Sequence, residues 1–466
     1  MEIRFHGAAR TVTGSKHLIT LKKGKRILLD CGMFQGLGDR GHLLNRHFGF
    51  DPATLDMLVL SHAHIDHSGL IPALVRDGFR GPIYCTPATL DLCEIMLMDS
   101  AHIQSSDIQY VNRKRIRDGL APYKALYTVD DVRSSLDLFV PVPYLTDKQI
   151  DEDVVLRFTD AGHILGSAVV NLRIMEDHYE RRIAFTGDIG RLHPNIIREP
   201  QPFPQCNILI TESTYGDRLH PAEETSTEQL LRIVIETCVM KKGKLVIPAF
   251  SVGRTQEIVY ALDKLENQKR LPRVKVFVDS PLSTNATEIM RRHSDCFNDK
   301  VKNYMLNDSD PFGFSRLEYI RDAEESKKLN NLKEPCIIIS ASGMAEAGRI
   351  KHHLANTIEN PDNTVLIVGH CEPESLGGRL AGGAKEVRIF GETYQVKALV
   401  EEISSLSAHG DQQEMLQFLA CQDADAIKKT FIVHGNYPAQ LHFKEKLEEA
   451  GHRHVEIPEL GAQFEL

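Results

Sequence analysis

Residues 62–67 read His-Ala-His-Ile-Asp-His. Imidazole nitrogens and a carboxylate at that density are the chemistry of a metal site, and of zinc in particular. His62 and His64 are two apart, so in extended chain both point to the same side. Asp66 and His67 come round from the start of the helix that follows. The six residues begin two ligand sets and close neither. More donors must come from elsewhere. Gly162-His163 and Thr186-Gly187-Asp188 offer a His and an Asp, each in a glycine-containing turn, and His434 ends the apolar run Phe431-Ile432-Val433. Singly, each of these reads as a cap or surface residue at a strand end. Together with residues 62–67 they make seven ligand-type residues in four separated segments. A carboxylate shared by two cations allows a separation of about 3.5–4 Å, with a hydroxide between them.

Such residues need elements to hold them at one place. Short β-branched or Leu-rich runs recur, each stopped by a polar residue or proline. Arg26–Leu29 stops at Asp30, Met57–Leu60 at Ser61 and His62, Ile183–Phe185 at Thr186-Gly187-Asp188, and Ile208–Ile210 at Thr211-Glu212-Ser213. Leu245–Ile247, Val276–Val278, Ile337–Ile339 and Phe431–Val433 follow the same form. Runs of this length fit buried strands. Helical patterns lie between many of them: 68–76, 87–102, 228–240, 254–266 and 411–420. Strands alternating with helices imply an α/β architecture. Ligands in such sheets sit beyond the strand ends, where these polar residues fall. Segments 1–21 and 154–182 read instead as strand and hairpin. The expected division is a first domain over 1–210, an insertion of strand–helix units over 211–394, and a return to the first domain over 395–466.

Asp30, the 62–67 cluster, His163 and Asp188 resemble the ordered motifs of the metallo-β-lactamase fold. Thr211-Glu212-Ser213-Thr214-Tyr215-Gly216, Ser407-Ala408-His409-Gly410-Asp411 and Val433-His434-Gly435 resemble the further motifs of its β-CASP branch. That branch contains RNase J, bacterial RNA-degrading relatives and the endonuclease subunit of the cleavage and polyadenylation specificity factor. The resemblance covers nearly the whole chain, because Pro248–Arg254, Asp279-Ser280-Pro281 and Ser342–Arg349 also look like β-CASP segments. It implies an αββα sandwich carrying an inserted α/β domain. It departs from the branch at Asn436, where many relatives carry an acidic residue, and at His370-Cys371, where an aromatic-containing segment is common.

Residue by residue, the resemblance implies one zinc on His62, His64, His163 and Asp188. It implies a second on Asp66, His67, Asp188 and His434, with Asp188 bridging. Asp30 would orient ligands without binding metal. Glu212 and His409 would stand beside the metals without ligating them. Two zinc ions lower the pKa of a shared water towards neutrality and offset charge on phosphoryl oxygens. His409 would protonate the leaving 3′-oxygen with Glu212 favouring its charged form, leaving 5′-phosphate and 3′-hydroxyl ends. Without the resemblance, His409 reads as a surface residue in a helix cap between Ser407 and Asp411. Ser251, Gly253 and Arg254 open a helix after a strand, a fitting cradle for substrate phosphates. Ser280, Ser342, Gly343 and Arg349 offer similar groups, all of which read otherwise as ordinary strand–helix turns.

Composition sets the remaining bounds. The chain has 466 residues, 42% apolar and 26% charged, so a globular protein of one to three domains is expected and a disordered or fibrous one is excluded. No run approaches the length of a membrane span, and the start Met1–Phe5 lacks the sections of a signal peptide. Nine scattered cysteines, an odd number, read as reduced cytosolic thiols, so a cytoplasmic location is expected. A net charge of -9 argues against a generically basic nucleic-acid binder but leaves room for a local cationic groove. The expected function is a zinc-dependent ribonuclease with RNA as partner, no membrane, room for a homodimer, and no extra RNA-binding domain in the chain. The competing functions are a DNA nuclease, a small-molecule ester or thioester hydrolase and an inactive scaffold. Histidine at 434 resembles the RNA-acting members rather than the DNA-repair ones. An insertion of this size is needless cover for a small substrate, and every expected metal ligand is present.

Overall fold

The computed structural model describes residues 1–220, 226–369, 371–403 and 407–466, and His370 lies outside them. The described chain forms two compact units. The first contains Met1–Pro194, Arg198–Leu219 and His409–Leu466; the second contains Asn195–Ile197 and His220–Ala408.

The first unit holds two seven-stranded sheets. In one, Glu2–Phe5, His17–Thr20 and Arg26–Leu29 run antiparallel in turn, and Met57–Val59, Ile83–Cys85 and Phe139–Pro141 then continue in parallel. Gln463–Glu465 closes its other edge, antiparallel to Glu2–Phe5. The second sheet is built on the meander Lys148–Asp151, Val154–Asp160, Ala168–Glu176 and Tyr179–Phe185. It continues in parallel through Ile208–Thr211, Lys429–Ile432 and Val455–Glu456.

Side chains alternate across a pleated strand, and that alternation sorts the core. Ile27, Leu29 and Val59 of one sheet share a buried cluster with Leu156, Phe158, Val170, Leu172, Ile183, Phe185, Ile208, Ile210 and Phe431 of the other. The intervening residues Val169, Ala184, Leu209 and Ile432 face the opposite way, into a cluster with Met415, Phe418, Phe443 and Leu447. Those four come from the helices Gln412–Leu419 and Tyr437–Glu449. The two faces of the second sheet are thereby both apolar, as helix-covered sheets require. The molecule is the mixed α/β architecture that the strand and helix patterns imply.

The second unit is built on a six-stranded, wholly parallel sheet in the order Leu317–Ile320, Lys275–Asp279, Cys336–Ser340, Leu245–Pro248, Thr364–Val368 and Leu399–Ile403. Three of its strands, Lys275–Asp279, Cys336–Ser340 and Leu245–Pro248, contain the apolar runs Val276–Val278, Ile337–Ile339 and Leu245–Ile247; the other three have no counterpart among those runs. Helix limits differ more. The pattern over 68–76 is divided into Ile65–Ser68 and Ile71–Arg76, because Leu70 turns to donate its N–H to Cys31 O at 2.9 Å. The pattern from Pro87 continues to Arg117 on residues too polar to show apolar periodicity. The pattern over 228–240 widens from α-helix, Ser226–Val234, to π-helix, Ile235–Met240.

Candidate metal centre

Parallel strands deliver their following residues to one edge. In the first unit, Leu29 pairs with Val59, which sets Asp30 beside the segment that begins Ser61-His62. In the second sheet Phe185 pairs with Ile210, and Thr211 with Ile432. The turns carrying Asp188, Glu212 and His434 therefore leave adjacent strands at the same end. His163 enters from the connection between Val154–Asp160 and Ala168–Glu176, where its N–H donates to Ser167 Oγ at 3.0 Å. The turns are tight. Gly187 has φ +55°, and a Cβ there would lie 2.7 Å from that of Ser61. Asp30 and His434 themselves adopt positive φ, at 58° and 50°, a strained state for side-chain-bearing residues that marks functional turns.

Two donor sets result. In the first, His64 Nδ1 lies 3.2 Å from His62 Nε2 and 3.2 Å from His163 Nε2. Asp188 Oδ2 faces both of those Nε2 atoms at 3.5 Å. In the second, His67 Nε2 is 3.1 Å from His434 Nε2, and Asp66 Oδ2 is 3.3 Å from the latter. Asp188 Oδ1 is 3.3 Å from His67 Nε2. It is buried and takes no hydrogen bond among the described residues. A buried carboxylate oxygen facing imidazole nitrogens is costly unless a proton on one of them or a cation completes it. The two oxygens of Asp188 thus aim into different sets. His62, His64, His163 and Asp188 gather ligand atoms within 4.8 Å of one another, as do Asp66, His67 and His434, and Asp188 with Glu212 and His434 makes a third such group. The donors are nitrogen and oxygen, the chemistry of zinc. Burial holds His62 and His163 well below the usual imidazole pKa and His64 at about 4, which keeps their lone pairs available. His67 behaves oppositely. Burial disfavours its charge, but Asp188, Asp66 and Asp30 outweigh burial and raise its pKa well above the ordinary value. A cation would take the place of that proton.

Neighbouring residues fix which nitrogen faces inward. Asp30 is fully buried. Its Oδ2 lies 2.7 Å from His67 Nδ1, which turns His67 Nε2 towards the donor set. Ser61 holds Asp30 through its N–H at 2.8 Å and its hydroxyl at 3.0 Å, and Ser15 Oγ adds a third bond at 3.1 Å. Thr214 Oγ1 sits 3.1 Å from His434 Nδ1, which leaves Nε2 to the second set. The sequence singled out Asp30 but not Ser15, Ser61, Ser167 or Thr214. Ser61 and Thr214 adjoin or lie within quoted motifs; nothing in its sequence context marks Ser15 or Ser167.

Beside the donors, His409 Nδ1 lies 3.2 Å from Glu212 Oε1. Glu212 also accepts from Ile189 N at 2.5 Å and Thr214 N at 3.1 Å, so its oxygens are already engaged. Burial opposes the charged form of His409, yet Glu212 prevails and lifts its pKa to about 9. The His409 ring is 4.4 Å from that of His163.

The expected substrate residues all belong to the second unit. Gly253, φ +81°, is the N-cap of helix Arg254–Asn267. Arg254 is buried and pairs with Glu257, and its Nε has no partner among the described residues. A Cβ on Gly343 would meet the Phe250 ring at 2.6 Å, so the segments around Ser251 and Ser342 are neighbours. Ser280 caps helix Pro281–Arg292 by accepting from Ser283 N at 3.1 Å. Arg349 donates to Asp279 Oδ1 at 2.7 Å and to Arg321 O at 2.6 Å.

Family models match along the chain: the metallo-beta-lactamase superfamily over residues 14–237, the Beta-Casp domain over 255–380, and the Zn-dependent metallo-hydrolase RNA specificity domain over 393–458. Ribonuclease TTHA0252 of Thermus thermophilus is 34% identical over 93% of this chain and 93% of its own length. The chain belongs to the β-CASP branch of the metallo-β-lactamase superfamily. Among its β-CASP relatives, the RNase J-like protein of Methanocaldococcus jannaschii is 30% identical over 95% of this chain and 94% of its own length. Transcription termination factor FttA of the same organism is 29% identical over 98% of this chain and 70% of its own length. The β-CASP chain is a metal-dependent hydrolase. Its described residues include no helix long and apolar enough to cross a membrane.

Proposed function

We propose that this β-CASP hydrolase is a zinc-dependent ribonuclease that cuts RNA phosphodiester bonds to leave 5′-phosphate and 3′-hydroxyl ends. The observation that carries the proposal is Asp188, whose two buried oxygens aim at two separate donor sets. The names of the relatives from Thermus and Methanocaldococcus support RNA as the substrate class. His62, His64, His163 and Asp188 would hold one zinc, and Asp66, His67, His434 and Asp188 the other. Bound zinc supplies a lowered pKa for water and offsets charge on the phosphoryl oxygens. Asp30 keeps His67 in the ligating tautomer. Glu212 favours the charged form of His409, and His409 delivers its proton to the departing 3′-oxygen. The remaining assignments follow the sequence: Ser251, Gly253, Arg254, Ser280, Ser342, Gly343 and Arg349, at strand–helix turns, as substrate contacts, and a cytoplasmic setting from the scattered cysteines.

End-labelled RNA, with and without a 5′ block, tests the activity and shows whether cleavage is internal or starts at the 5′ end. Equal cleavage of single-stranded DNA would move the assignment to a general nuclease. Absence of cleavage by zinc-loaded protein would overturn it. His409→Ala should retain zinc and bind RNA while cleaving about 10²–10⁴-fold more slowly, the loss typical of acid–base catalysis. A 3′-thio linkage, whose sulfur leaves without a proton, should restore much of the variant's rate relative to wild type. The same deficit on oxygen and sulfur substrates would remove His409 from the role of acid.

A further inference from the structure

Lys16 is a lysine in the interior, 1% exposed. Among the described residues no carboxylate pairs with it; Nζ donates to Gly32 O at 2.7 Å and Gly14 O at 3.1 Å. The same atom lies 4.4 Å from the Phe34 ring centroid. Burial draws its pKa down to about 8, so the ammonium form still predominates at neutral pH. A buried cation without a counter-ion is unfavourable unless its donors are well used.

Those donors are used behind Asp66. Ser15 N donates to Asp66 O at 2.8 Å, and Gly32 N donates to Ser15 O at 2.8 Å. A Cβ on Gly32 would stand 1.6 Å from Asp66 O, so the main chains are in close contact there. On the same side Cys31 N donates to His67 O at 2.7 Å and Met33 N to Ile65 O at 2.9 Å. Segments 14–15 and 31–33 thus form a wall against the backbone of Asp66 and His67. Neither the Gly14 nor the Gly32 carbonyl accepts a main-chain N–H among the described residues. Nζ of Lys16 is the bolt between them. His163 and Asp188 are held by other groups, Ser167 Oγ for the former and the Gly187 turn for the latter.

We infer that Lys16 is a positioning residue for the second metal set, bracing the segments that hold Asp66 and His67 so that this zinc binds more tightly. The inference rests on the two-zinc proposal, and the experiment separates the two. Metal-free wild type and Lys16→Met are titrated with zinc against a chromophoric competing chelator, with Asp66→Asn identifying which dissociation constant belongs to the second set. Methionine keeps the unbranched stem and removes the charge. The constant weakened in Asp66→Asn should weaken in Lys16→Met by about tenfold or more, as when a group supporting a ligand is lost, while the other stays within about twofold. A merely structural role would weaken both together; that result, or no change in either, overturns the inference. If Lys16→Met does not fold, Lys16→Leu, which likewise lacks a donor, is read by the same ratio. Wild type that binds fewer than two zinc ions would overturn the two-zinc proposal itself.

Discussion

Asp188→Asn should impair both zinc sites, since a neutral amide is a poor bridge between cations. Elemental analysis after zinc reconstitution should fall from about two per chain to one or fewer. Retention of both ions would remove the bridging role. A second expectation concerns pH. Asp263 is buried. Burial pushes its carboxyl up to about 7, and the neighbouring Asp308 and Asp310 carboxylates add to that effect. Tyr304 OH donates to its Oδ2 at 2.6 Å. Because the folded pKa exceeds the unfolded value, this group's contribution is fully present below about pH 4 and is lost as pH rises through about 7. Asp263→Asn, which offers Asp308 an N–H without charge, should therefore raise stability at pH 8 by on the order of 1 kcal/mol and leave it nearly unchanged at pH 4. Thermal melts at both values would show it; equal shifts at both would place the effect elsewhere. The sequence exposes residue chemistry unevenly. A cluster such as 62–67 announces itself because its donors are adjacent. Asp263 does not, because its environment is supplied by Asp308 and Asp310 more than forty positions away.

Helix Gln412–Leu419 follows His409 closely and begins with a reciprocal cap: Asp411 accepts from Glu414 N at 2.9 Å, and Glu414 from Asp411 N at 3.0 Å. Its apolar residues Met415 and Phe418 face the second sheet's outer cluster. Asp411→Ala should cost about 0.5–2 kcal/mol in unfolding free energy, the range for a lost cap. Chemical denaturation of the metal-free protein would measure it, and a change below about 0.3 kcal/mol would mean that packing alone sets the helix start. A helix start beside Asp411 was legible because its chemistry is local, and the structure makes Asp411 the cap and not the first helical residue. The split at Leu70 and the extension of helix Pro87–Arg117 were not. The first depends on a hydrogen bond to Cys31, distant in sequence, and the second continues over polar residues with no periodic apolar face. Strand runs were the most legible elements, because burial on both faces writes a continuous apolar stretch that ends sharply.

Across the whole molecule, the proposed metal donors come from positions 62–67, 163, 188 and 434. A ligand that binds only the folded state stabilises it by mass action, by about 2.7 kcal/mol at one hundred times its dissociation constant. Chelation should accordingly lower the melting temperature, and His434→Ala should lower the temperature gained on adding zinc. A melt indifferent to zinc would show the donors to be unlinked to folding. The pairing of distant motifs was legible as a shared chemistry, but the parallel neighbours Phe185–Ile210 and Thr211–Ile432 that enforce it were not, since strand order is a property of topology rather than of local pattern. That order has a consequence in time. Translation proceeds from the amino end, so the strand Lys429–Ile432 and the His434 that follows it are among the last parts of these 466 residues to leave the ribosome. Until then the second donor set lacks a member and its sheet lacks an interior strand. The donor set and the sheet that presents it are therefore completed together and late in synthesis, and a shorter nascent chain has neither.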